Sequence, residues 1–154
     1  DYSEEGAFGV VLNKPTFIKI SEVVQEYNDI NYPLFSGGPV SINNVYFLHR
    51  LNEYISDSIF VENDIFWGGN KEEILQLLKN NFFDESKLRI FMGYSSWEAG
   101  QLDLELNQNS WIVTDFDSEK LFNTPADKLW ETVVDSLGED FKLWKNLPVN
   151  PLLN

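Results

Sequence analysis

The stretch LRIFMGY, residues 88–94, decides the fold class because it is a strong β-strand. It is a short, mostly apolar run of the kind that forms strands. On both sides of this stretch, further apolar or β-branched runs predict more strands. These lie at residues 6–13, 45–49, 55–61, 65–67 and 111–114.

Helical patterns separate these strands. Residues 20–27 carry apolar side chains at helical intervals, which predicts a helix of about two turns with Ser21 as its N-cap. Asn70 and Glu73 form a start that resembles a capping box, and it predicts a helix over residues 71–80.

The C-terminal third contains the clearest helix start. Thr124 is the predicted N-cap, Pro125 occupies the first helical position, and Gly138 ends the helix. A short helical turn is predicted at residues 141–144, and an extended tail at 147–154.

Strands and helices alternate along the chain without the regular spacing of βαβ units. This order favours an α+β fold, a mixed β-sheet or partly closed barrel with helices packed around it, formed as a single domain over residues 1–154. The segment 100–106 is ambiguous from periodicity alone. Its leucines alternate as in a strand, yet Leu102 and Leu106 are also four positions apart, as in a helix.

The charge balance argues against binding to polyanions. The chain carries 25 acidic and 11 basic residues, for a formal charge of −14. The basic residues are scattered and form no run, so binding to nucleic acid through phosphate neutralisation is disfavoured, as is binding to anionic membranes. The acidity favours solubility or a basic partner.

The composition limits the chemistry and the location. There is no cysteine, which excludes thiol nucleophiles, disulfides and thiolate zinc sites. No segment approaches the roughly 20 apolar residues of a membrane span, and no secretory signal is visible. We expect a soluble, cytoplasmic protein. The chain begins at Asp1 and not at Met, which indicates a trimmed or processed form.

Four sequence signatures, in order along the chain, resemble those of a known family. They lie at residues 6–15, 37–40 with 47–49, 93–102, and 121–130. Together they resemble the AlgH/YqgE family of bacterial proteins, whose function is unsettled and which are often labelled transcriptional regulators. The resemblance implies an α+β fold, a helical segment 100–106, and no established catalytic residues.

Two departures from the family pattern matter. Ser96 stands where the family usually has glycine, which puts a close backbone approach there in doubt. Members also usually carry a further N-terminal stretch, including a strand, before the segment that matches Gly6. Either that stretch was removed, or the strand at 6–13 has lost a neighbour.

Individual motifs give weak catalytic signals. Gly37-Gly38 favours a tight turn over an anion site, because no residue follows at P-loop spacing. His49, the only histidine, favours a hydrogen-bonded structural role over that of a general base or ligand. Ser95 and Ser96 lack the glycine that would complete a nucleophile elbow. Loop aspartates are interpreted as solvated, so no metal and no cofactor is predicted.

The segment from Tyr94 to Leu102 follows a strand and opens a predicted helix, a place where ligand sites often form. Trp97 either fills the core or contributes to a ligand or partner surface, since aromatic residues anchor protein interfaces. The predicted ligand or partner surface consists of Gly37, Gly38, Pro39, His49, Gly93, Tyr94, Ser95, Trp97, Gly100 and Gln101.

Three functional hypotheses follow. The first is a non-enzymatic binding or regulatory domain that acts through an unknown protein partner and does not contact DNA directly. The second is a small-molecule-binding protein or enzyme in which Gly37-Gly38, His49 and residues 94–101 converge on one cleft. Direct DNA binding is the third.

Overall fold

The structure, a computed structural model, describes residues 1–82 and 84–146; the predicted tail at 147–154 lies outside the described residues. The strands are β1 Tyr2–Ser3, β2 Gly6–Gly9, β3 Pro15–Lys19, β4 Pro33–Ser36, β5 Val40–His49, β6 Ser58–Glu62, β7 Ile65–Gly68 and β8 Leu88–Glu98. The α-helices are α1 Ile20–Val23, α2 Lys71–Lys79, α3 Gln101–Asn107, α4 Ser118–Asn123 and α5 Ala126–Ser136. Two 3₁₀ segments occur, at Gln25–Tyr27 and Glu139–Asn146.

Strand β8, which contains the predicted strand at 88–94, is the centre of the sheet. It pairs antiparallel with β5 along one edge and, along the other, parallel with β4 and then antiparallel with β2. The sheet continues from β5 through β7 to β6. The result is a mixed sheet that is mostly antiparallel, and it confirms the predicted α+β class.

Both faces of the central sheet are covered by helices. On one face Leu34, Phe47 and Ile90 pack with side chains from α2. On the other face Phe35 and Phe91 pack under α4 and α5. Adjacent residues such as 34 and 35 thus serve opposite cores, because successive side chains of a strand alternate. This explains why residues 45–48 of β5 and 90–92 of β8 are apolar on both faces.

The second face is concave. Phe8 on β2 and Trp67 on β7 are separated by the two strands β8 and β5, so a flat sheet would hold them about 14 Å apart at the usual strand spacing. Their ring centroids are only 5.4 Å apart. The sheet therefore curls toward this face as a half-barrel, which is the partly closed barrel that the sequence predicts.

Helix α2 begins as the sequence predicts. The Asn70 side chain accepts hydrogen bonds from the backbone N–H groups of Glu72 (3.0 Å) and Glu73 (3.2 Å). The carboxylate of Glu73 does not close the capping box; it accepts from the backbone and hydroxyl of Ser56 instead. The contacts between Glu73 and Ser56 connect α2 to the segment before β6.

Two predicted N-caps are wrong by one or two positions. Ser21 lies inside α1, whose N-cap is Lys19; the backbone N–H of Lys19 donates to Glu22 at 2.8 Å. Thr124 ends α4 through a bond from its N–H to the carbonyl of Lys120, and α5 starts after Pro125. Helix α1 thus starts directly after β3, and α5 starts directly after the end of α4.

Two strand predictions need correction. The strand at 6–13 stops at Gly9, because the backbone of Val11 turns to donate to the carbonyl of Gly37. Residues 111–114 form no strand. A strand needs a neighbour to share its hydrogen bonds, and no ladder reaches this segment in the described ranges. Residues 101–107 are helical, as the family resemblance implies.

The first strand gives β2 a second neighbour. Tyr2 and Ser3 pair with Ala7 and Gly6, on the edge of β2 that faces away from β8. Strand β2 is therefore paired on both edges. Among the described residues no helix is long and apolar enough to cross a membrane.

Candidate functional site

Four aromatic rings form a continuous cluster on the concave face, beyond the part that α4 and α5 cover. Phe8, Tyr46, Trp67 and Tyr94 come from four different strands. Tyr46 stacks on Trp67 at 5.7 Å and meets the edge of Tyr94 at 5.3 Å, while Phe8 contacts Trp67 and Tyr94. All four side chains are only half-buried. We call this set the ring cluster.

Gly93 sets the position of Tyr94. Met92 packs into the core of the opposite face, and strict alternation would send Tyr94 there as well. Gly93 has a φ of 66°, a left-handed conformation that glycine adopts without steric cost, and the pairing with β5 shifts register at this point. The ring of Tyr94 lies instead beside Tyr46.

The ring cluster is the floor of an open cleft of ≈ 470 Å³. Asp1, Ser3, Glu5 and Ser96 also line the cleft, and we call these polar residues its rim. The amino group of Asp1 donates to the carbonyl of Phe8 at 3.0 Å. The cleft thus combines an aromatic floor with an acidic rim, and no Lys or Arg is among the described residues that line it.

Trp97 forms one wall of the cleft and is held by Glu105 of α3. The Glu105 carboxylate accepts hydrogen bonds from the indoles of Trp97 (3.1 Å) and Trp111 (2.7 Å) and from the Gln101 amide (2.9 Å). These three donors, led by Trp111, hold the pKa of Glu105 below its usual range. Helix α3 therefore orients Trp97 through an ionised carboxylate.

The glycines of the predicted site have a packing role. A Cβ at Gly38 would lie 2.2 Å from the carbonyl carbon of Tyr94, and one at Gly37 would lie 2.3 Å from the carbonyl oxygen of Gly93. Gly37 is buried, and its N–H donates to Met92. Gly37 and Gly38 thus lie where two backbones meet with no room for side chains.

His49 is likewise not part of an accessible surface. Its ring is fully buried at the far end of β5, paired with Leu88 and Phe66. Nδ1 accepts from the backbone N–H of Leu51 (3.1 Å), so the neutral ring carries its proton on Nε2, which faces the Ser58 hydroxyl at 3.1 Å. Nε2 cannot then accept a proton from Ser58, and burial lowers the pKa of His49.

The remaining predicted residues divide by position. Tyr94 and Trp97 line the cleft, and Gly93 sets the position of Tyr94. Ser95 pairs with β2, and Gln101 accepts from the Glu98 backbone at 3.0 Å. The exposed residues Pro39 and Gly100 do not line the cleft. Of the residues that the second hypothesis places in one cleft, Tyr94, Ser96 and Trp97 line it, and Gly37, Gly38 and His49 do not.

Ser96, at the position where the family usually has glycine, lies in a regular strand. It pairs with Phe8 in the ladder between β2 and β8 and is exposed at the cleft rim. In the described residues, no group of three or more carboxylate or imidazole side chains gathers as metal ligands would.

Phe8, Tyr46 and Trp67 belong to the cleft but are missing from the site predicted from sequence. Each lies in a predicted strand, where an aromatic side chain is first interpreted as core. Their convergence depends on the register of four strands and on the curl of the sheet. The sequence indicates this cluster only by placing an aromatic residue in each of several predicted strands.

The fold and cleft together define the class: an α+β protein with a curled half-barrel sheet and an open aromatic cleft on its concave face. Comparison with known proteins then identifies the family. The model of the DUF179 family, described as AlgH-like, matches residues 1–142. The chain belongs to this AlgH-like family, which confirms the resemblance seen in the sequence.

Relatives and solved structures agree with this assignment. A UPF0301 protein from Cytophaga hutchinsonii is 37% identical over all of this chain and 85% of its own length. One from Chlorobaculum parvum is 36% identical over 100% and 82%. The solution structure of the AlgH protein from Pseudomonas aeruginosa has a TM-score of 0.74 at 24% identity, covering 97% of this chain and 82% of that one. At this identity the likeness shows the fold alone.

Proposed function

We propose that this chain is a non-enzymatic binding domain that acts through protein contacts made at the cleft. One observation carries the proposal: a cluster of four half-buried aromatic rings is left open to solvent on an otherwise covered sheet face. Contiguous apolar surface of this kind marks interaction sites, and Tyr and Trp are the side chains that most often anchor protein partners. The regulatory role implied by the family resemblance would then be exerted through the partner.

The distribution of positive charge supports a function without direct DNA contact. Lys128, Lys142 and Lys145 form ion pairs with carboxylates of their own chain. Arg50 pairs with two acidic residues, and Arg89 is buried. These five cations are thus engaged within the fold, and the net charge of −14 opposes approach to phosphate. Titration of a labelled DNA duplex at about 0.15 M salt should give no saturable binding.

Site-directed crosslinking tests the protein-contact proposal. A photoreactive amino acid at Ser96, on the rim of the cleft, should form an adduct with a defined protein in cells that express the chain. The matched control is Gln76, which is exposed on α2 on the opposite side of the sheet. A partner that contacts the cleft should couple to position 96 and not to position 76.

The recovered partner must then be purified and its binding measured directly. Ser96→Lys, which places a long side chain in the cleft, should weaken binding at least about tenfold, as expected when a contact at the centre of an interface is disrupted. Gln76→Lys changes the net charge equally and should leave binding unchanged. Equal binding by both variants would place the contact elsewhere and defeat the proposal.

A small-molecule ligand is the second candidate, and the volume of the cleft favours it. A space of ≈ 470 Å³ falls within the range typical of ligand pockets, about 300–1,000 Å³. This candidate now involves Tyr94 and Trp97 without His49 or Gly37. A compound that binds saturably to the purified chain, loses affinity in Ser96→Lys and is recovered from cells with no crosslinked protein would favour it over the first.

A further inference from the structure

The chemistry of the cleft indicates what kind of partner it takes, and this inference rests on the proposed function. We propose that the cleft binds an arginine side chain presented by an extended basic segment of the partner. The guanidinium would lie against the exposed ring faces of the cluster, and the carboxylates at the rim would balance its charge.

The ring cluster provides the surface on which a guanidinium stacks. The faces of aromatic rings carry partial negative charge and attract cations, with tryptophan the strongest. Trp67 and Tyr46 are stacked nearly parallel, at 15°, and Tyr94 meets Tyr46 edge-on at 78°. The rings are in mutual contact, so a cation cannot enter between them and must lie on the side that opens to the cleft.

The rim provides the complementary charge. Asp1 and Glu5 are the side chains with a formal charge at neutral pH among the described residues that line the cleft, and no Lys or Arg is among them. Glu4 is exposed in the turn between β1 and β2 and adds a further negative charge next to Glu5. An anionic ligand would be repelled here, whereas a basic segment is attracted both by the rim and by the whole chain.

Arginine fits this arrangement better than lysine. The guanidinium is planar, weakly hydrated and able to stack on a ring while its edge donates hydrogen bonds. The serine hydroxyls and the carboxylates at the rim are acceptors for that edge. An ammonium group is strongly hydrated and compact, so it would gain from the carboxylates but little from the ring faces.

The test uses three labelled peptides of twelve residues, each with three basic positions separated by Gly and Ser. The basic positions are arginine, lysine or the neutral isostere citrulline. Fluorescence anisotropy at 0.05 M salt should show binding of the arginine peptide. The citrulline peptide should bind at least about tenfold more weakly and the lysine peptide about three- to tenfold more weakly, from the energy range of cation–π contacts.

Variants separate the cleft from the general negative charge of the chain. Ser96→Lys and Gln76→Lys alter the net charge equally, so only the first should reduce affinity for the arginine peptide by more than about fivefold. Trp67→Leu keeps the net charge and should remove most of the preference for arginine over lysine. Far-ultraviolet circular dichroism checks that each variant is folded. If Trp67→Leu does not fold, the comparison of Ser96→Lys with Gln76→Lys decides the test.

Three results would overturn the inference: no binding of the arginine peptide, equal binding of arginine and lysine peptides, or equal losses in the two lysine variants. A cleft-dependent partner found by crosslinking together with any of these results would leave the proposed function standing. Binding of the arginine peptide with no cleft-dependent partner would instead count against the proposed function and leave the chemistry of the cleft intact.

Discussion

The concave face of the sheet has two halves that the fold treats differently. In the covered half, Phe35 and Phe91 are sealed under α4 and α5 and are almost fully buried. In the open half, Phe8, Tyr46, Trp67 and Tyr94 form the ring cluster, and no helix residue is among the described residues that line its cleft. Both halves bury aromatic rings against the same sheet. The covered half contributes to stability, and the open half keeps apolar area available for contact.

Arg89 shows how the covered half is closed. Its guanidinium lies against the rings of Phe35 and Phe122 and donates to the carbonyls of Leu12 (3.2 Å), Leu121 (2.6 Å) and Thr124 (3.0 Å). The last two carbonyls lie at the C-terminal end of α4, where a positive charge is favoured by the helix dipole. Arg89 thus fixes α4 over the sheet.

The largest effect should come from the covered half. Phe91→Ala should lower the free energy of unfolding by about 3–5 kcal/mol, since it opens a cavity among closely packed side chains. Urea denaturation monitored by circular dichroism measures this. Phe17→Ala is the control, because Phe17 is 102% exposed, and it should change stability by less than about 0.5 kcal/mol. Similar urea midpoints for the two variants would show that the covered half is not a main source of stability.

Removing the tether of α4 should have the next largest effect. Arg89→Met leaves three carbonyl groups without their donor and should cost about 2–3 kcal/mol, as expected for buried hydrogen bonds to a charged group. Hydrogen exchange should show faster exchange in α4 and unchanged rates in α2, which packs on the opposite face. Uniform rates across both helices would show that Arg89 does not act through α4.

A substitution in the open half should change the free energy of unfolding much less. Tyr94→Leu removes two ring contacts but creates no closed cavity, so we expect a loss of about 1 kcal/mol. The variant should unfold close to the wild type in urea while losing affinity for the cleft ligand. A loss as large as that of Phe91→Ala would mean that the open half also serves mainly as core.

Prediction from sequence was accurate where local chemistry decides the structure. The N-cap Asn70 and the strand at 88–94 depend on neighbours within a few residues, and both are present. It was wrong for 111–114, whose strand-like composition finds no pairing partner. The ring cluster was not predicted, because Phe8 and Trp67 meet only through the register and curl of four strands. The hydrogen-bonded structural role that the sequence favours for His49 agrees with its burial and its bond from Leu51, whereas its place in the candidate surface could not be judged without the fold.

The smallest effect concerns the wall of the cleft and depends on pH. The pKa of Glu105 is lowered in the folded chain by the indole and amide donors. The stabilisation is therefore present above the ordinary glutamate pKa, about 4.3, and is lost as the pH falls through the lower folded value. Acrylamide quenching of tryptophan fluorescence should rise at acid pH as Trp97 and Trp111 are released.

Glu105→Gln provides the matched control, because glutamine keeps the size of the side chain and does not titrate. This variant should show no quenching step in the same acid range. If the step persists in Glu105→Gln, the release of the indoles has another cause, and the carboxylate does not orient the wall.

The position of β8 has a consequence for biosynthesis. Without β8 the described sheet falls into three separate parts: β1 with β2, β3 with β4, and β5 with β7 and β6. A ribosome delivers the chain from its N-terminus, so Phe8 and its strand leave the ribosome about ninety residues before their main partner, β8. The early strands and their aromatic side chains therefore stay unpaired with β8 until it has been synthesised. A nascent chain halted before Leu88 should remain sensitive to protease over about its first forty residues.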